Sequence, residues 1–254
     1  MTSSPPSPIP PGMTTVFITG ANRGVGLGLV LEILKSRTVG RVFATARKPS
    51  EATDLNAITD ARLSILEMSV NDDASIKAAA EMVAGQVGNN GLDLLINNAA
   101  ILKELDPKLP MDRAVIMEMF NTNAAGPMVV TSYFYPLLKK AADKKGYAQV
   151  AHISSRGGSC GLCIGQGGLD FHLVAYMASK AALNRYSIYT SKYFASDNVR
   201  VACFHPGWVK TDLGSDQAPL SVEESTSVLG PLLLSLGPEH NGGYYNQNGE
   251  RMPW

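Results

Sequence analysis

Hydrophobic positions fall in short bursts, separated by longer stretches in which apolar residues recur at helical spacing. The bursts at residues 14–19, 41–45, 63–68, 92–96, 148–153 and 199–204 are nearly continuous apolar runs, the pattern of strands covered on both faces. Between them, residues 24–36 predict a first helix whose buried stripe is Leu27, Val30, Leu31 and Leu34. Asp112 stands where it caps a long helix running through residues 117–120, and Ser221 with Glu224 forms a capping box for the last helix. Strands alternating with helices predict a doubly wound α/β fold, a parallel sheet with helices on both faces. With 254 residues, 45% of them hydrophobic, and no internal repeat, the chain predicts a single domain.

Charge narrows the partners. Twenty-two basic residues balance 22 acidic ones, so no broad positive field draws nucleic acid or anionic lipid, and a small metabolite is the expected partner. No apolar run approaches the roughly 18 residues of a membrane span; the greasiest late stretch, residues 228–236, is interrupted by Pro231. Residues 1–12 are rich in proline and serine and lack the features of a signal or transit peptide, so they read as a disordered tail ahead of a domain over residues 13–254. Three cysteines make no disulfide framework, which points to a reducing compartment such as the cytoplasm. Cys160 and Cys163 form a C-x-x-C pair with no second ligand pair at metal-binding spacing, so no metal is expected. Lys139, Lys140, Lys144 and Lys145 read as a solvated helix end, where cations favour the dipole.

Two motifs carry the chemistry. The first is Thr19-Gly20-Ala21-Asn22-Arg23-Gly24-Val25-Gly26, at the junction of the first strand and first helix. Glycines there let backbone N–H groups approach a pyrophosphate, and the helix N-terminus adds partial positive charge. The second strand ends Ala44-Thr45-Ala46-Arg47, with no carboxylate to accept hydrogen bonds from a free ribose 2′-hydroxyl. Arg47 and Arg23 together can clamp a 2′-phosphate, so NADP(H) is the expected cofactor. The second motif is Tyr176-Met177-Ala178-Ser179-Lys180. Residues four apart share a helix face, so the ammonium lies close to the phenol, an arrangement suited to moving a proton.

With these motifs, together with Asn97-Asn98-Ala99-Ala100, Asn123-Ala124-Ala125-Gly126, Ile153-Ser154-Ser155 and Pro206-Gly207-Trp208-Val209-Lys210-Thr211 in that order, the chain resembles the short-chain dehydrogenase/reductase family from about residue 15 onward. ANRGVGLGLV, HPGWVKTDLG, APLSVEES and NGGYYNQNGERMPW resemble its sniffer and C-factor-like carbonyl reductase subgroup. The resemblance implies a Rossmann-type sheet of about seven strands. It also implies that Tyr176 protonates the carbonyl oxygen of a ketone, aldehyde or quinone, while Lys180 binds the nicotinamide ribose and lowers the phenol's pKa. Ser155 would hydrogen-bond the carbonyl oxygen, and Asn123 would hold a water linking Lys180 to solvent. Gly20, Asn22, Arg23, Gly24, Val25, Gly26, Arg47, Val70, Asn97, Ala99, Pro206, Gly207, Val209 and Thr211 would meet or support the cofactor. Val209 and Thr211 would fix the carboxamide.

Departures from the family pattern are local. Ser69 stands where an aspartate usually meets the adenine, and Ala100 replaces a glycine beside the cofactor. The interval from Ser155 to Tyr176 is lengthened by a glycine-rich loop over residues 157–173, expected to shape the substrate pocket. Ile101, Phe171, Trp208, Tyr245 and Trp254 are candidate pocket walls. The alternatives are the same chemistry run as an alcohol dehydrogenase, and a non-catalytic NADP(H)-binding regulator, which would have no need of the phenol. A homodimer through the two long helices, over about residues 112–140 and 175–195, is expected from the resemblance.

Overall fold

A computed structural model describes residues 14–163 and 171–254; the side chains of Cys163 and Phe171, and with them two of the expectations above, lie outside that description, as does the proline-rich start. The elements run β1 (Thr14–Ile18), α1 (Gly24–Lys35), β2 (Val39–Ala46), α2 (Thr53–Asn56), β3 (Leu63–Glu67), α3 (Asp73–Val87), β4 (Leu94–Asn97), α4 (Arg113–Phe120), α5 (Gly126–Lys145), β5 (Ala148–Ile153), α6 (Cys160–Cys163), α7 (Val174–Tyr193), β6 (Val199–His205), α8 (Val222–Leu234) and β7 (Tyr244–Asn246). All the strands are parallel, in the order β3-β2-β1-β4-β5-β6-β7. The order reverses between β1 and β4, and a doubly wound sheet opens a crevice at the carboxyl ends of the strands flanking such a reversal.

Strand apolarity follows from burial on both faces. Val16, Ile18, Val42 and Ala44 face the side covered by α1 and α8, whereas Phe17, Phe43, Leu95 and Val150 face α3 and α5. The buried stripe of α1 differs from the expected one. Leu31 is 46% exposed, and Leu29 and Ile33 join Val30 and Leu34 in the core. The helix packs on α8 as well as on the sheet, which turns its buried face toward Gly26 and Gly28. The caps form as the sequence predicts: Asp112 accepts from the Ala114 N–H, and Ser221 and Glu224 close a reciprocal capping box. Helix α8 continues through Pro231, whose ring lies on the exposed side. Lys145 ends α5 with its ammonium 2.7 Å from Asp93, and Lys139 pairs with Asp143 and Asp197, so part of the basic cluster is engaged in ion pairs.

Candidate active site

The crevice at the reversal point is a cleft of about 460 Å³. Gly20, Asn22, Arg23, Gly24, Val25 and Gly26 form its floor, with Arg47, Val70, Ala99, Pro206 and Thr211 around them. Two glycines show why the loop has its composition. Gly20 has φ +65°, and a Cβ on Gly26 would stand 2.3 Å from the Gly20 carbonyl oxygen and 2.5 Å from Asn98 Nδ2. No side chain caps α1 at Arg23, so its first-turn N–H groups remain available to an anion. A narrow loop closed against Ala99 and an uncapped helix N-terminus together fit a pyrophosphate.

Thr19 fastens the loop to its neighbour, its hydroxyl accepting from the Asn98 and Ala99 N–H groups, each at 3.0 Å. Asn98 donates to the Thr19 and Gly20 carbonyls, each at 2.9 Å, and lines the cleft. Asn97 does not reach the cleft. Strand alternation turns it to the opposite face, where it donates to Thr131 at 3.1 Å and lies 3.2 Å from His152 Nδ1. Arg23 pairs with Asp212 on the loop after β6, at 2.5 Å, while Arg47 lines the cleft with no ion-pair partner among the described residues. Gly207 (φ +88°) and buried Val209 shape that loop, where Val209 bridges to Leu220; neither lines the cleft.

The catalytic candidates converge at the inner end. Tyr176 is nearly buried on α7, and the Ser155 side chain lies within reach of its phenol. Ser155 begins the short turn after β5 and accepts from the Gly157 N–H at 3.2 Å. The neighbouring Ser154 lines the cleft but donates its hydroxyl to Asn184 at 2.6 Å, whereas Ser155 does not itself line the cleft. Lys180 is buried, donates to the Ile153 carbonyl at 2.9 Å and lies 5.8 Å from the Tyr176 ring centroid. Burial lowers its pKa to about 8. The expected lowering of the phenol is not what the structure gives. Burial pushes Tyr176 up to about 12, against the opposing Ser155 side chain.

Asn123 sits in a widened turn, Asn121–Ala125, that joins α4 to α5 with π-helical geometry. Its amide is engaged: Nδ2 donates to the Ile101 carbonyl at 2.8 Å and to Ser179 at 3.0 Å, and Oδ1 accepts from the Ile101 N–H at 2.9 Å. Both amide protons of the side chain are thus taken, while Oδ1 keeps one lone pair. Of the candidate walls, Ile101 lines the cleft. Tyr245 is buried, stacked on Phe204; Trp208 is 53% exposed and donates to the Gly214 carbonyl; Trp254 stacks on Tyr244. Sequence reasoning missed Thr19, Asn98 and Asp212, although all three stand inside quoted motifs.

The fold and this constellation define a class. The short chain dehydrogenase family profile matches residues 14–219, and the chain belongs to the short-chain dehydrogenase/reductase family. Within it the chain is similar to the carbonyl reductase Sniffer of D. melanogaster, at 32% identity over 95% of this chain and 100% of that one, with a TM-score of 0.89. It is also similar to a carbonyl reductase from chicken fatty liver whose structure holds NADPH, at 35% identity over 95% and 99% of the two chains, with a TM-score of 0.86. An uncharacterized oxidoreductase of Schizosaccharomyces pombe is 34% identical over 94% of this chain and 97% of its own length.

Proposed function

We propose that the protein is an NADPH-dependent carbonyl reductase in which Tyr176 is the general acid. The observation that carries this reading is the buried Tyr176 phenol, with the Ser155 side chain within reach and Lys180 behind its ring, lining a cleft whose glycine floor fits a dinucleotide. Bound NADPH would supply the hydride. Gly20, Gly24 and Gly26 with the α1 N-terminus would hold the pyrophosphate, Arg47 and Arg23 the 2′-phosphate, Val70 the adenine, and Lys180 the nicotinamide ribose. Thr211 and the backbone near Val209 would orient the carboxamide. The NADPH-holding relative supports the choice of cofactor.

Ser155 and Tyr176 would both hydrogen-bond the substrate oxygen, and the phenol would give up its proton as negative charge develops there. Lys180 would present its charge to the ribose and the ring, and Asn123 would hold the water that resupplies its proton. Ile101, Leu102, Leu105 and Met177 pack around Tyr176, an apolar wall for a small, rather apolar ketone, aldehyde or quinone.

Tyr176→Phe tests the reading, because the ring and its packing stay while the proton goes. NADPH oxidation on a carbonyl panel should fall by at least about a thousand-fold, with NADPH binding retained. Activity within a few-fold of the parent protein would sink the mechanism. We infer in addition that the chain forms a homodimer through α4, α5 and α7. A shallow groove lined by Ala114, Met117, Phe120, Ala124, Met128 and Ala182 lies across these helices, and Met117 is 57% exposed there.

A further inference from the structure

Beside its local bonds to Gly157 and Gly158, Ser155 is held from the far edge of the sheet. Tyr244, in β7, is completely buried, and its hydroxyl donates to the Ser155 carbonyl at 2.5 Å. The side chains of Ser154 and Asn184 lie within hydrogen-bond reach of the same phenol. Ser154 donates to Asn184 at 2.6 Å, and Asn184 donates to the Gly158 carbonyl at 3.0 Å. Residues 154–158, which present the Ser155 hydroxyl to Tyr176, are therefore tied at both ends to a single buried knot.

The knot has a brace. After β7 the chain turns back through an antiparallel bridge between Tyr245 and Arg251, and the Met252 N–H donates to the Tyr244 carbonyl at 2.7 Å. That turn lays the Trp254 indole on the Tyr244 ring, with centroids 5.3 Å apart and planes 21° from parallel. The same segment is bonded to the loop after Ser155: the Trp254 carbonyl accepts from the Gly161 N–H at 2.8 Å, and the Pro253 carbonyl accepts from the Ser159 hydroxyl at 2.7 Å. A phenylalanine at position 244 would pack as well. The hydroxyl is what reaches the serine's backbone.

We propose that Tyr244, braced by Trp254, is a positioning residue that acts through Ser155, setting the angle at which the serine hydroxyl meets the substrate oxygen and the Tyr176 phenol. The proposal rests on the roles of Ser155 and Tyr176 given above. Misplacing a catalytic group by about 1 Å costs about a hundred-fold in rate, so loosening one tie of several should cost about ten-fold.

The test is a cycle of variants, with kcat for NADPH-dependent carbonyl reduction, NADPH affinity by fluorescence titration, and amide exchange at Gly157 and Gly158 as readouts. Tyr244→Phe and Trp254→Ala should each lower kcat about ten-fold, leave NADPH affinity unchanged and speed exchange at the two glycines, while Trp254→Phe should restore most of the rate. In a Ser155→Ala background, Tyr244→Phe should add less than about two-fold, since a positioner has no effect once the group it positions is gone. An equal loss in both backgrounds, or a Tyr244→Phe enzyme within two-fold of its parent, overturns the proposal. Should Tyr176→Phe prove active, the reading of the site fails; amide exchange then decides alone, and unchanged exchange in Tyr244→Phe overturns the tie itself. Trp254→Ala carries the same comparison if Tyr244→Phe folds poorly.

Discussion

Arg47 is the residue on which cofactor choice turns. It lines the cleft at the end of β2, a strand that carries no carboxylate, while Arg23 already has Asp212 as a partner. A charge-assisted hydrogen bond to phosphate contributes about 1.5 to 3 kcal/mol, so Arg47→Ala should weaken NADPH roughly ten- to a hundred-fold and leave NADH nearly unchanged. Equal weakening of both, measured by titration, would return Arg47 to the role of a surface charge. His152 makes a second prediction, through pH. It is completely buried beside Asn97, and burial together with the nearby Lys180 charge lowers its pKa from 6.5 to about 3. Between those values the unfolded chain binds a proton that the folded chain refuses, so the unfolded state binds more protons and stability falls as pH drops. His152→Gln should therefore flatten the acid limb of a denaturation profile between pH 6.5 and 3. An unchanged slope would show that other groups govern it.

Elements, more than single side chains, make the dinucleotide floor. The turn from β1 into α1 was legible because glycines at Gly20, Gly24 and Gly26 fall between an apolar burst and a helical period. What was not legible is how near Asn98, just past β4, comes to it, since spacing along one strand says nothing about its neighbour. That closeness yields a prediction. In Gly26→Ala the new methyl meets the Gly20 carbonyl and Asn98, neither of which can yield without moving the loop. Forcing extra volume into such a site costs about 1 to 3 kcal/mol, and the distorted floor should lose most NADPH affinity. Calorimetry and titration on the same variant check both, and a normal melting temperature with normal binding would contradict the close approach. The first helix gives the opposite lesson: its period was visible, but which face it buries depended on α8, and Leu31 is exposed as a result.

For the whole molecule, the dimer proposal predicts twice the chain mass in sedimentation equilibrium. Met117→Lys, placing a charge in the apolar groove, should shift that mass toward the monomer while leaving the fold intact. A monomeric parent protein would remove the proposal. The fold class, the order of the first six strands with their intervening helices, the position of the dinucleotide floor and the pairing of Tyr176 with Lys180 followed from the sequence alone, because each rests on local periods and on contacts between residues close in the chain; β7, three residues long, gave no such period. The tertiary structure alone decided the rest: that Asn98 and not Asn97 faces the cleft, that Asn123 spends its amide on Ile101 and Ser179, that burial raises the Tyr176 phenol, and that Tyr244 reaches back to Ser155. Each of these depends on which face a strand presents or on what lies across the sheet, and both are settled by packing between segments far apart in sequence.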